Sequence, residues 1–285
     1  MNKKIENKTF DEERALYNLT DTEVINCTFA GPADGESAFK ECRNILVIDC
    51  SFSLRYPFWH DIGYKIENCT LDNLTRAAIW YSKDGTILNS KLNGIKALRE
   101  CDGAKITGCE IVSPEFGWRS RNIEMTDCTA ESEYFLFECR DIKLKKVTMK
   151  GKYSFQYVEN AEIDDCRFDT KDAFWHCRNM TVKNSVLKGE YLGWYSENLT
   201  LINCLIIGTQ PLCYCKNLTL INCRTEGCDL AFEYSDVDAQ INGHIISIKN
   251  LKSGLITVDS VGEIIKGDNV IPCNGEIVIN KRKCG

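Results

Sequence analysis

Along this chain, short apolar runs alternate with polar positions at a period of two and then lose phase at an Asn or Asp. In "NILVIDCSF" at 44–52, Ile45, Val47, Cys50 and Phe52 share one face, and the slip at Asp49 reads as a turn. The pairs Ile123/Met125, Ile142/Leu144, Leu199/Leu201 and Leu218/Leu220 repeat the pattern. Aligned on "NCTF" at 26–29, twelve units run from "NKTF" at 7 to "NCRT" at 222; nine of the eleven intervals are 19 residues, and the other two are 23 and 21. A fixed period near 20 marks a solenoid, in which each unit buries its apolar face only against its neighbours. Helical solenoids need more than about 30 residues per unit. Coils of 19 residues made of β-branched runs therefore predict an all-β, single-stranded parallel β-helix of about 12 coils, roughly 55 Å long at about 4.8 Å per coil. Residues 1–235 carry the repeats. Residues 236–285 break the period and are expected to be a capping β segment of the same domain, covering an end that would otherwise template aggregation.

Two columns of residues place the turns. The first holds Asn26, Asp49, Asn68, Asn89, Asp127, Asp165, Asn184, Asn203 and Asn222; the second holds Asn44, Gly63, Asp84, Gly103, Asn122, Asp141, Asn160, Asn179, Asn198 and Asn217. These residue types tolerate a positive φ, and stacked Asn or Asp side chains can bond to one another along the axis. On these asparagine ladders the chain resembles the pectate-lyase-like, right-handed parallel β-helix superfamily. On "GESAFKECRN", "RAAIWYS", "DAFWHC", "GEYLGWYS" and "DLAFEYS" it resembles, over nearly its whole length, an uncharacterised and mostly bacterial family of about this size; that resemblance implies a fold and no established activity. The polysaccharide enzymes of the superfamily carry Asn-x-Asp, Asp-Asp and Gly-His-Gly segments or a calcium-binding aspartate cluster. Here the only Asp-Asp is Asp164/Asp165, with Asp165 in a turn column, and "GHI" lies in the expected cap, so the resemblance does not extend to a pectinase site.

Composition narrows the function classes. The formal charge of −6 and a pI near 5.3 offer no basic field for a nucleic acid or a membrane surface, and no apolar stretch is long enough to span a bilayer. A cytoplasmic location is expected. "AFWHCRNMTVKNSVL" at 173–187 sets Trp, His and Cys side by side, yet Cys177 belongs to a column of small residues (Cys42, Asp61, Ser82, Cys101, Ser120, Cys139) that repeats in every coil. The seventeen cysteines therefore read as reduced thiols packed at inner corners, with no metal site and no cofactor expected.

The residue before that small column gives the candidate site. It runs Glu41, His60, Tyr81, Glu100, Arg119, Glu138, an outward charged and aromatic stripe; the position before it holds Lys40, Trp59, Trp80, Arg99 and Trp118, and the sequence leaves open whether this column faces in or out. The two long intervals insert "AGPADGE", with Glu36, and "DNLTRA", with Arg76, beside the first half of the stripe, where repeat proteins often bind. The predicted catalytic set is Glu41, His60, Glu100, Arg119 and Glu138. Glu41 would hydrogen-bond His60, and Glu100 and Glu138 would flank Arg119 as an acid and base pair of a carbohydrate-active hydrolase or lyase. The predicted binding set is Trp59, Trp80, Tyr81, Trp118, Glu36 and Arg76, with Trp59 or Trp80 as a stacking platform for a saccharide. A non-enzymatic scaffold that assembles or oligomerises through a flat β-helix face is the alternative.

Overall fold

The computed structural model describes residues 3–31 and 35–280; Pro32, Ala33 and Asp34 of the first insertion and the last five residues lie outside the described residues. The fold is all-β, with no helix among the described residues, and is a parallel β-solenoid of about 14 turns of ~19 residues. Among the described residues no helix is long and apolar enough to cross a membrane. The expected 12 coils undercount because residues 236–280 continue the stacking. Asp236–Lys249 and Ser253–Ile265 pair in parallel, with Asp236 opposite Ser253, and Glu276–Ile279 adds a further strand on Leu255 to Val258. The period shortens there from 19 to 17 (253 − 236), which is why the repeat fades from the sequence while the coil persists. The chain divides into two compact units, Met1–Thr148 and Met149–Gly285.

In unit 1 the main strand is four residues long in the first two coils, Lys3–Glu6 and Thr22–Ile25, and six in those that follow: Arg43–Ile48, Ile62–Glu67, Lys83–Leu88, Asp102–Thr107, Arg121–Thr126 and Arg140–Lys145. They stack in register, so Val47, Ile66, Ile87, Ile106, Met125 and Leu144 form one continuous buried row. A second short strand follows each turn, and a third, two residues long, forms a separate sheet of Phe58–Trp59, Ile79–Trp80 and Leu98–Arg99. Phe29, Phe39, Phe52 and Phe58 fill the coil interior, Phe29 on Phe52 at 4.6 Å and Phe39 on Phe58 at 5.1 Å between ring centres. Unit 2 repeats the arrangement, its central row running Ile163, Val182, Leu201, Leu220, Ala239 and Ile256.

The turns obey the residue chemistry. Every residue of both Asn/Asp/Gly columns has a positive φ, from 46° at Asn89 to 79° at Gly103. Where Asn follows Asn in unit 2 the ladders run amide to amide: Asn198 Nδ2 donates to Asn179 Oδ1 at 2.8 Å, Asn217 to Asn198 at 2.8 Å and Asn222 to Asn203 at 2.7 Å. The cysteine columns are small for a further reason. Several of these side chains accept a hydrogen bond from the backbone N–H of the counterpart one coil earlier, as Cys50 Sγ does from Cys27 N–H at 3.3 Å and Ser90 Oγ from Cys69 N–H at 3.0 Å. Cys and Ser interchange there because both are small acceptors for an inner-corner N–H that has no strand partner.

None of the sixteen cysteines among the described residues is in a disulfide; fifteen are buried and Cys273 is half-buried. Burial pushes the Cys101, Cys139 and Cys177 thiols up to about 12, so they stay protonated and unreactive. Native protein treated with an aromatic disulfide reagent at mildly alkaline pH should release a fast phase of no more than two thiols (17 − 15), Cys273 among them. Denaturant should expose the rest. A native fast phase of five or more would overturn this packing.

Candidate functional site

The stripe residues of unit 1 sit at a third corner of the coil, not on a strand. Glu41, His60, Tyr81, Glu100, Arg119 and Glu138 have φ of 61°, 62°, 51°, 51°, 52° and 54°. Their N–H groups continue the backbone ladder, Glu41 N–H to the Trp59 carbonyl at 2.8 Å and His60 N–H to the Trp80 carbonyl at 3.0 Å. A left-handed conformation costs an ordinary L-residue roughly 1–2 kcal/mol relative to a right-handed one. The other two left-handed columns minimise this cost with Asn, Asp and Gly; the third spends it on side chains that reach outward.

The tryptophans lie outside. Trp59, Trp80 and Trp118 are half-buried, while Phe58 and Ile79, their predecessors on the strand, are wholly inside. Lys40, Trp59, Trp80 and Arg99 form one stack: Lys40 Nζ lies 4.3 Å from the Trp59 ring centre, the two indoles are 5.1 Å apart at 10°, and Arg99 Cζ lies 5.2 Å from Trp80. Beside it His60 stacks on Tyr81 at 5.3 Å, and Tyr81 on Trp80 at 5.0 Å, which closes a quartet of rings. Both faces of Trp59 and of Trp80 are thus covered by protein groups, and the quartet presents its edges.

Around the quartet the carboxylates are engaged, while the buried Trp59 indole N–H has no hydrogen-bond partner among the described residues. Glu100 accepts the Trp80 indole N–H at 2.9 Å and lies 3.4 Å from Arg99 Nε. Burial alone would raise its carboxyl, but hydrogen bonds from Trp80 and Tyr81, together with Arg99 and Arg119, outweigh this and hold it below the usual carboxylate range. The expected Glu41–His60 hydrogen bond gives way to another partner: Tyr17 O–H donates to Glu41 at 2.6 Å, while the His60 imidazole is stacked between aromatic rings. Arg119 Nε meets Glu138 at 2.7 Å, so the flanking acid on that side is an ion-pair partner. Trp118 belongs to a second cluster, edge-on to Tyr134 at 6.1 Å and 5.3 Å from Phe137. Glu36 pairs with Arg55 at 3.3 Å, and Arg76 is exposed on the second insertion, its carbonyl accepting from Tyr56 N–H. The structure therefore brings together Trp59, His60, Trp80, Tyr81 and Glu100, and sets Glu41, Trp118 with Arg119 and Glu138, Glu36 and Arg76 in separate pairings. Among the described residues no three His, Cys, Asp or Glu side chains are placed to share a metal ion.

Asp61 carries a role the sequence did not expose. It lies fully buried behind His60; Oδ1 accepts the Cys42 N–H at 2.7 Å and Oδ2 has no partner. Burial raises its pKa well above the usual carboxylate value. Tyr64, also buried, keeps its hydroxyl without a partner. An acid standing in a column of Cys and Ser was the available signal.

Residues 3–278 match the model of a family described as Protein of unknown function (DUF3737). No curated protein matches the chain. Among solved structures, the A-module of the Azotobacter vinelandii mannuronan C-5 epimerase AlgE4 is similar at 10% identity and a TM-score of 0.34, over 97% of this chain and 89% of that one. Tailspike protein 3 of bacteriophage CBA120 is similar at 10% identity and a TM-score of 0.32, over 96% of this chain and 51% of its own, so the chain spans about half the tailspike. PfbA, a surface adhesin of Streptococcus pneumoniae, is similar at 11% identity and a TM-score of 0.29, over 92% and 79%.

Proposed function

We propose, from the premise that this chain belongs to the family described as Protein of unknown function (DUF3737), that it is a non-catalytic binding protein which takes a saccharide at the outer corner of unit 1. The observation that carries this reading is the polar rim of the ring quartet. Glu100 accepts the Trp80 indole N–H at the edge of the quartet of Trp59, His60, Trp80 and Tyr81, Glu41 and Arg119 stand at neighbouring positions of the same corner, and the rings are locked by stacking before any ligand arrives. Carboxylates and a guanidinium bind paired hydroxyls, and rigid aromatic bodies lose little conformational entropy on binding. Filled ring faces direct the contacts to sugar hydroxyls, not to stacking. Catalysis is disfavoured because Glu100, held ionised, is an acceptor with no proton to give, and Glu138 is engaged by Arg119.

The filled ring faces also favour a second reading, in which the stack serves only to stabilise the corner. Glu41→Asn and His60→Asn separate the two, because Asn suits the left-handed corner and keeps the fold. If the site binds, the double variant should melt close to the wild type and bind an oligosaccharide, found by tryptophan fluorescence with a panel of neutral and acidic glycans, at least about tenfold more weakly. Equal affinity in the two proteins, or no glycan of the panel bound at millimolar concentration, would leave the stabilising role alone.

A further inference from the structure

In unit 2 the same corner changes character. Tyr157, His176, Tyr195 and Tyr214 replace the charged residues and stack as one column, with ring centres 5.1, 5.0 and 4.8 Å apart and planes within 13° of parallel. Tyr157 and Tyr195 are 48% and 44% exposed. Two positions on, across the buried small column, runs a charged row on adjacent strands: Glu159, Arg178, Glu197, Lys216. Its Arg178 is 61% exposed and stands 4.0 Å from Glu159 and 3.8 Å from Glu197, longer than a close hydrogen-bonded ion pair.

We propose that this corner is a self-association face on which two copies of the chain pack antiparallel about a two-fold axis passing between the His176 and Tyr195 coils. The charge order decides it. The row reads minus, plus, minus, plus, so its reversal places Arg178 against Glu197 of the partner subunit and Glu159 against Lys216 of the partner subunit, and by symmetry each contact occurs twice. The four charges sum to zero, which gives a chain of net charge −6 a place to meet its own copy without repulsion. The tyrosine column has the same coil spacing in both copies, so the rings meet in register along its whole length, and tyrosine edges with fixed rotamers are favoured at the centre of protein interfaces. Unit 1 fails the same test: reversing its stripe sets Glu41 against Glu138, and reversing its charged row sets Arg43 against Arg140.

Sedimentation velocity and light scattering of the full chain between about 1 and 100 µM test this directly. The wild type should be a dimer in that range, and Arg178→Glu, which creates two Glu–Glu contacts across the axis, should weaken it by about a hundredfold or more. The decisive variant is Arg178→Glu with Glu197→Arg. Its own row reads minus, minus, plus, plus, with like charges side by side within each copy, but its reversal still pairs every charge with its opposite; dimerisation should return. A wild type monomeric at about 100 µM overturns the proposal. So does an undiminished dimer in Arg178→Glu, or a double variant that stays monomeric, because the single variant would then have acted within the chain.

Discussion

Gly85→Ala should cost about 3 kcal/mol of stability, read as a lower urea midpoint with an unchanged slope. The glycine is needed for space: an added Cβ would fall 2.1 Å from Tyr64 Cζ and 2.3 Å from its hydroxyl. In the inward column Ile45, Tyr64, Gly85, Ala104, Ile123, one oversized ring is followed by the smallest residue, and the Tyr64 ring lies across the place of the missing side chain. Tyr64 cannot swing away, because it is 2% exposed and packed on Phe58 at 6.2 Å. The clash and the ring are one interaction, so the effects must not add. Tyr64→Ile combined with Gly85→Ala should recover most of the loss, since it restores the Ile and Ala volumes used elsewhere in the column. A Gly85→Ala protein as stable as the wild type would show that the ring does not occupy this space.

Asp61→Asn should stabilise the protein at neutral pH by about 1–3 kcal/mol. The amide keeps the Oδ1 acceptor that receives the Cys42 N–H and removes a carboxyl group whose ionisation burial opposes. The pH dependence gives the sharper check. Burial raises the folded-state pKa of Asp61 well above the ordinary carboxylate value of 3.8, which applies to the unfolded chain. The folded state then holds a proton that the unfolded state releases, so the Asp61 contribution is fully present below 3.8 and is lost progressively as pH climbs towards the folded value. Glu100 and Asp102 have lowered pKa values and act in the opposite sense, their contributions being lost as pH falls. The quantity to follow is therefore the difference in melting temperature between variant and wild type. It should be near zero at low pH and grow as pH rises; a constant or shrinking difference would mean that Asp61 is not held protonated.

The candidate site was legible as a set of columns and opaque as a set of contacts. Its residues could be listed in order because the 19-residue period aligns them. Their partners could not, because Glu41 meets Tyr17 across a 23-residue coil and Glu100 meets Trp80 across the corner, pairings that depend on side-chain reach. The direction of the tryptophans was open for a related reason. Phe58 and Trp59 are adjacent large apolar residues, either of which fills a core, and the choice was made by Phe29, Phe39 and Phe52, whose stacked rings leave room for Phe58.

What the amino-acid order alone determined was everything that follows from a residue's own backbone preference and its repetition. Asn, Asp and Gly take left-handed turns cheaply, β-branched runs take strands, and a constant interval forces identical neighbours onto one another, so coils, ladders and the inward row follow before any contact is known. Tertiary structure alone decided the third corner. Glu, Tyr and Arg have no preference for a positive φ, and they adopt it because the coil closes only if the chain turns there between a buried, mostly apolar column and a buried column of mostly Cys and Ser. The same closure put an acid at an inner corner, where burial among its neighbours raises its pKa.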